Sequence, residues 1–226
     1  MASMMGRPRR LLVVVLVIVA LGVAAAGLAR RHQMTATSGV ERPTKRLPVP
    51  EAPLRTLAPQ AGLKTDPIPG GRLVVDKSDL TLSLYGGDKL LKTYPIARGF
   101  GDLGDKVKRD DGRTPEGTFR IVQRVRQARL ATWKDLWMRL DYPLPEDAER
   151  GLVAGIISQP ERDDILRAHR RGETPSQKTA LGSGVGIHIG GPEPPQWTQG
   201  CLALREADGV EVYEQVRVGT MVTIER

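Results

Sequence analysis

Residues 79–85 read D-L-T-L-S-L-Y, with a leucine at every second position. A period of two puts Leu80, Leu82 and Leu84 on one face of an extended strand. On a helix the same leucines would scatter around the axis, so the segment predicts a strand with one buried face. Residues 72–76 (R-L-V-V-D) form a strand before it, Gly86-Gly87-Asp88 makes a turn, and 89–97 returns as a partner, completing a β-meander. Further strands are predicted at 118–124, 136–142, 185–189 and, closing the chain, 218–224. Aromatic residues make up only 4% of the chain, so the core must be built from Val, Leu and Ile. Helical spacing appears at 146–154 and 162–170, the latter with Ile165, Leu166 and His169 on one face. It appears again at 205–216, where Ala207, Val210, Tyr213 and Val216 are expected inward. The expected fold is mostly β, with a helical insertion at about 146–183 and one late helix.

This domain is expected over 71–226, and the chain before it is of another kind. Residues 11–29 carry no charge, and as a helix they span roughly 28 Å, about the hydrocarbon thickness of a bilayer. Arg7, Arg9 and Arg10 precede this run and Arg30 and Arg31 follow it. Those five arginines, with no acid among residues 1–31, leave only +3 of the net +8 for the remainder. The excess charge therefore brackets an apolar segment, which argues for membrane orientation and against a nucleic-acid partner. The length of the run favours a retained signal anchor over a cleaved signal peptide. The expectation is a cytoplasmic basic stretch at 1–10, a transmembrane anchor at 11–29, and the rest outside the cytoplasm on the periplasmic side. Seven prolines between 43 and 69 make 30–70 read as an extended tether.

The chemistry concentrates in 185–204, V-G-I-H-I-G-G-P-E-P-P-Q-W-T-Q-G-C-L-A-L, which holds Cys201, the single cysteine of the chain. His188 ends a short apolar run, and the Gly/Pro-rich loop after it can fold the imidazole back onto the thiol. A thiolate is the reactive form, and a neighbouring imidazole is the base that generates it. Gly200 allows close backbone approach, and amides around Cys201 are placed to stabilise an oxyanion. A lone histidine at a strand end is more often structural than catalytic, and a lone cysteine is often a small buried apolar residue. Metal binding is disfavoured, because one cysteine with His32, His169 and His188 scattered along the chain makes no ligand set, and no cofactor is expected. The glycine-rich loop at 98–119 fits no phosphate-binding spacing and reads as surface loop.

Two motifs carry a family resemblance. I-H-I-G-G followed by W-T-Q-G-C-L-A-L is similar to the catalytic signature of the L,D-transpeptidase (YkuD-type) family. G-D-K-V-K-R-D-D-G-R-T-P-E-G-T-F resembles that family's second hallmark, a loop ending in G-x-T-P-x-G. The resemblance covers about 72–225 and implies a β-rich, sandwich-like domain that is a cysteine acyltransferase acting on peptidoglycan stem peptides. Cys201 would attack the carbonyl of an L-to-D-linked residue, and His188 would be its base. Thr198, Gln199, Gly200 and Gly190 would support the oxyanion site, with the carbonyl of Ile189 or Gly190 orienting the histidine. Trp197, Gly191 and Arg113 are candidates for substrate contact. The signature departs from the usual one in three ways: Gln199 replaces a histidine, Ala203 replaces an arginine or asparagine, and the spacing from His188 to Cys201 is shorter than usual. These departures leave open a hydrolase on the same scaffold and a silent peptidoglycan-binding module.

Overall fold

The leucine alternation becomes a strand, but a shorter one than its pattern suggests. In the computed structural model, which describes residues 67–129 and 131–226 together with Ala52, Leu54 and Thr56, β1 (Gly71–Asp76) is followed by β2 (Thr81–Gly86) and β3 (Lys89–Pro95). Leu80 stands at φ 55° in the turn ahead of β2, half-buried and packed against the core, while Leu82 and Leu84 are fully buried. That turn is built on Asp76, whose carboxylate accepts the amides of Ser78 and Asp79 and the Ser78 hydroxyl. Local side-chain hydrogen bonding thus outweighs the alternation at its first position.

The remaining strands are β4 (Arg98–Gly99), β5 (Gly117–Arg126), β6 (Leu136–Leu140), β7 (Gly186–Ile189), β8 (Gln196–Thr198), β9 (Leu202–Leu204) and β10 (Met221–Glu225). Eight of them form one sheet in the order β3-β2-β1-β10-β5-β6-β7-β9, and β4 pairs with β8. β1–β10 and β7–β9 run parallel; the other neighbours in the large sheet are antiparallel. β5 belongs to both halves of the sheet and shifts register between Ile121 and Gln123. Such an irregularity bends and twists a strand. Side chains from both halves meet in a single buried cluster, with Leu82 and Leu84 from one end and Ile187 and Leu202 from the other.

Three helices complete the domain: α1 (Pro145–Val153), α2 (Gln159–Arg171) and α3 (Glu206–Gln215). α1 and α2 are the expected insertion, and Ala148, Ile157, Ile165 and Leu181 give it a small core of its own. His169 on α2 is half-buried, with Nε2 2.8 Å from the Pro143 carbonyl oxygen. The expected inward face of α3 holds for Val210 and Tyr213, packed against the core, and for Val216 just past its end, which is fully buried, but not for Ala207. Ala207 is exposed, whereas Asp208, Gly209, Val212 and Gln215 are buried, with Val210 and Tyr213 at the margin. Asp208 turns inward because its carboxylate accepts from Arg205 Nε at 2.7 Å, which closes the first turn.

The tether reading needs correction at one point. Leu54 is 1% exposed and, with Ile68, belongs to the main core. Its amide donates to Glu211 on α3, which also receives the Lys92 ammonium and the Tyr94 hydroxyl. A leucine among prolines has no periodic neighbours to reveal such an anchor, so composition alone read it as spacer. The described residues belong to the compact unit Thr44–Arg226. The basic 1–10 stretch, the 11–29 run and most of 30–70 lie outside the described residues. Among those described, no helix is long and apolar enough to cross a membrane.

Candidate active site

The site forms where the sheet ends at β7 and β9. His188 pairs in register with Trp137 on β6 and with Ala203 on β9. Residues in register point to the same face, so the three make a row across the sheet. Cys201 lies immediately before β9, two positions ahead of Ala203. Ala203 is fully buried and exchanges two backbone hydrogen bonds of 2.9 Å with Ala97.

The imidazole is held on three sides. Trp137 stacks on it, with ring centroids 6.0 Å apart and planes 16° from parallel, and Trp197 meets it edge-on at 5.7 Å. Nδ1 lies 2.7 Å from the carbonyl oxygen of Ile189. A carbonyl can only accept, so Nδ1 carries the proton, and a neutral ring then holds its lone pair on Nε2. Burial holds the His188 pKa below its ordinary value; the hydrogen bond to Ile189 acts in the opposite direction. Burial likewise pushes the Cys201 thiol up to about 11, against the opposing pull of the Gly186 amide and the Lys106 charge. The thiol donates to the Gly184 carbonyl at 3.3 Å. At neutral pH the resting pair is therefore an uncharged thiol and an uncharged imidazole, not a thiolate–imidazolium pair.

Cys201 is presented by a turn that Thr198 organises. Its hydroxyl, on a buried side chain, donates to the Cys201 carbonyl at 2.7 Å and accepts from the Gly200 amide at 3.2 Å. Gly200 stands at φ +129°, and a Cβ there would come within 2.6 Å of the Arg113 carbonyl oxygen. A side chain is excluded on both counts. Gln199 is exposed and lines a cleft of about 160 Å³ with Lys106, Arg109, Asp110, Gly182 and Ser183. Gly190 lies under the Trp197 indole, whose N–H donates to the Gly191 carbonyl at 3.2 Å. Trp197 therefore packs the loop and the histidine together. Arg113 contributes its backbone to the site, but its guanidinium is tied to Asp102 at 2.7 Å and to the Asp105 carbonyl.

The loop at 98–119 is more than the surface loop that its composition predicts. Arg98, Lys106 and Thr114 are buried. Gly99 is wedged between the backbones of Gly112 and Gly200: a Cβ there would meet the Gly112 oxygen at 2.1 Å. The Thr114 hydroxyl accepts the Gly99 amide at 2.9 Å, and Phe100 N–H donates to the Thr198 carbonyl at 2.9 Å. Lys77, 1% exposed, ties this loop to the end of β1 by donating to the carbonyls of Gly104 and Thr114 and pairing with Glu116 at 2.9 Å. The G-R-T-P-E-G motif is thus the wall against which the cysteine turn is built. Trp137, Lys106 and Lys77 are the site-supporting residues that sequence reasoning missed. Trp137 lay in a strand with an ordinary alternating pattern, and the two lysines look like solvated charges until their partners are known.

Residues 70–224 match the family model described as YkuD, L,D-transpeptidase catalytic domain. The chain belongs to the L,D-transpeptidase catalytic-domain family. No curated protein matches it. Solved structures similar to this L,D-transpeptidase-family domain include Bd1075 of Bdellovibrio bacteriovorus, at 20% identity and a TM-score of 0.45, covering 70% of this chain and 48% of that one. An L,D-transpeptidase from Mycobacterium smegmatis follows at 14% identity and a TM-score of 0.40, covering 70% and 59%. The helical cell shape determining protein Pgp2 from Campylobacter jejuni is 18% identical, with a TM-score of 0.44, covering 74% and 53%. The chain spans about half of the length of these proteins.

Proposed function

We propose that this domain is a working L,D-transpeptidase that acylates Cys201 with a peptidoglycan stem peptide and passes the acyl group to an amine. The observation that carries this reading is the orientation of His188: Nδ1 is committed to the Ile189 carbonyl, so the basic lone pair sits on Nε2, on a strand paired with β9, which Cys201 immediately precedes. As Sγ attacks the scissile carbonyl, its proton passes to Nε2, and the carbonyl electrons move onto oxygen. The Gly200 amide is already engaged by Thr198, so we assign the Cys201 amide to the oxyanion. Collapse of the tetrahedral adduct breaks the peptide C–N bond. The departing D-amino acid takes the proton from His188, leaving a thioester. An acceptor amine repeats the sequence in reverse roles and frees the thiol.

The elevated thiol pKa fits this order of events. A pre-formed thiolate is disfavoured by burial, so deprotonation accompanies attack, as in general-base catalysis. The placement outside the cytoplasmic membrane, tethered through 11–29, belongs to the same proposal and rests on the uncharged run and its flanking arginines.

The test is digestion of purified muropeptides with the full-length protein and with Cys201→Ala. New cross-linked dimers that vanish in the variant are the expected result. Shortened monomers alone would convert the reading to hydrolysis. Binding without any product would identify a silent peptidoglycan-binding module.

A further inference from the structure

The cysteine signature of this chain has no positive charge at 199 or 203, where Gln199 and Ala203 stand. A cation nevertheless lies beside the nucleophile. Lys106 is 3% exposed, and its Nζ stands 2.7 Å from Asp111 Oδ1. A Cβ built on Gly200 would lie 3.9 Å from that Nζ, so the ammonium abuts the residue immediately before Cys201. On its far side the Lys106 stem passes Gly182, where a Cβ would come within 3.1 Å of Cε. The lysine is therefore clamped between the cysteine turn and the segment leading to Gly184, whose carbonyl receives the thiol proton.

Asp111 is itself fixed. Its carboxylate accepts the amides of Val107, Lys108 and Arg113 besides the ammonium. The loop is wound around this one carboxylate, and the Arg150 guanidinium donates weakly to the Lys106 carbonyl at 3.4 Å. Burying an ammonium is costly even when it is paired, and an exposed lysine could serve the loop equally well. The burial is accounted for if the charge acts inward. Across a short, poorly solvated distance it stabilises negative charge strongly.

Resting on the assignment of Cys201 as nucleophile, we propose that Lys106 is a positioning residue whose buried charge, tempered by Asp111, stabilises the anion formed at Cys201 during acylation. The other charged or titratable groups around it are Asp111, Arg109 and Asp110 of its own loop and Arg150 from α1. The lysine transfers no proton in this role. It lowers the energy of the charge that His188 creates by taking the proton.

The test is the pH profile of iodoacetamide alkylation of Cys201 in the full-length protein, followed by intact mass. This readout reports thiol ionisation whether or not the protein catalyses transfer. Failure of the proposed function would instead appear in the parent as absence of muropeptide products. Lys106→Met should raise the thiol midpoint by about one pH unit, which slows alkylation about tenfold at a fixed pH below it. Asp111→Asn frees the lysine charge and should move the midpoint down. Lys106→Arg should leave it in place. A merely structural ion pair would not give opposite signs for its two halves. The proposal is overturned if the Lys106→Met profile coincides with the parent or if Asp111→Asn shifts upward with it. Where Lys106→Met does not fold, judged by near-ultraviolet circular dichroism, the Asp111→Asn sign decides alone: a downward shift supports the proposal, and none or an upward shift overturns it.

Discussion

The two ends of the large sheet are held together by different means. At the β1–β2–β3 end, side chains do the work: Leu73, Val75, Leu82 and Leu84 are all fully buried, and outside them Ser83 and Thr93 join hydroxyls across the strands at 2.9 Å. At the β7–β9 end, buried side chains such as Ile187 and Leu202 are joined by backbone packed on backbone. Gly99, Gly112 and Gly200 bring three chain segments into contact, and one threonine hydroxyl ties the cysteine turn. The first arrangement tolerates small shifts because flexible side chains fill the space. The second fixes atoms within tenths of an ångström, which is what a nucleophile and its base require.

Substitutions at the two ends should separate the same way. Leu84→Ala removes a fully buried side chain and should cost about 3 kcal/mol in denaturant unfolding. The folded fraction should still be acylated by a carbapenem at the parent rate; a lower intrinsic rate would mean the two ends are coupled. His188→Ala should do the reverse, slowing acylation on the order of 10²-fold, equivalent to about 2.7 kcal/mol of barrier. The parent rate should also fall on the acid side, where His188 gains a proton and can no longer accept one. Because burial depresses its pKa, that limb should lie below the ordinary histidine value of 6.5. A limb above 6.5 would contradict the buried, uncharged imidazole. Thr198→Val keeps the shape but removes the hydroxyl from two hydrogen bonds and should cost about 1 kcal/mol, with a several-fold slower acylation. An unchanged rate would show that the turn is held by the glycine contacts alone.

The same contrast explains what the sequence revealed. The strand end was legible because its signal is hydrophobic periodicity, which depends on side chains. Even there the strand begins one leucine later than the pattern, since Leu80 packs against the core from the turn that Asp76 caps. In the site, Cys201 and His188 stood out by residue type, and the family motifs added the G-R-T-P-E-G loop. The role of that loop was not legible. Glycine-mediated contacts between segments a hundred residues apart leave no periodic trace, so Lys106 and Lys77 passed as solvated charges. Leu54 shows the same blindness in the tether, where one anchoring side chain among prolines looks like composition.

The most direct test of the account is an intact-mass measurement on the full-length protein after incubation with a carbapenem. The account predicts a single covalent adduct, mapped to the peptide containing Cys201 and absent from Cys201→Ala. No adduct on a folded protein, or an adduct that persists in Cys201→Ala, would contradict it.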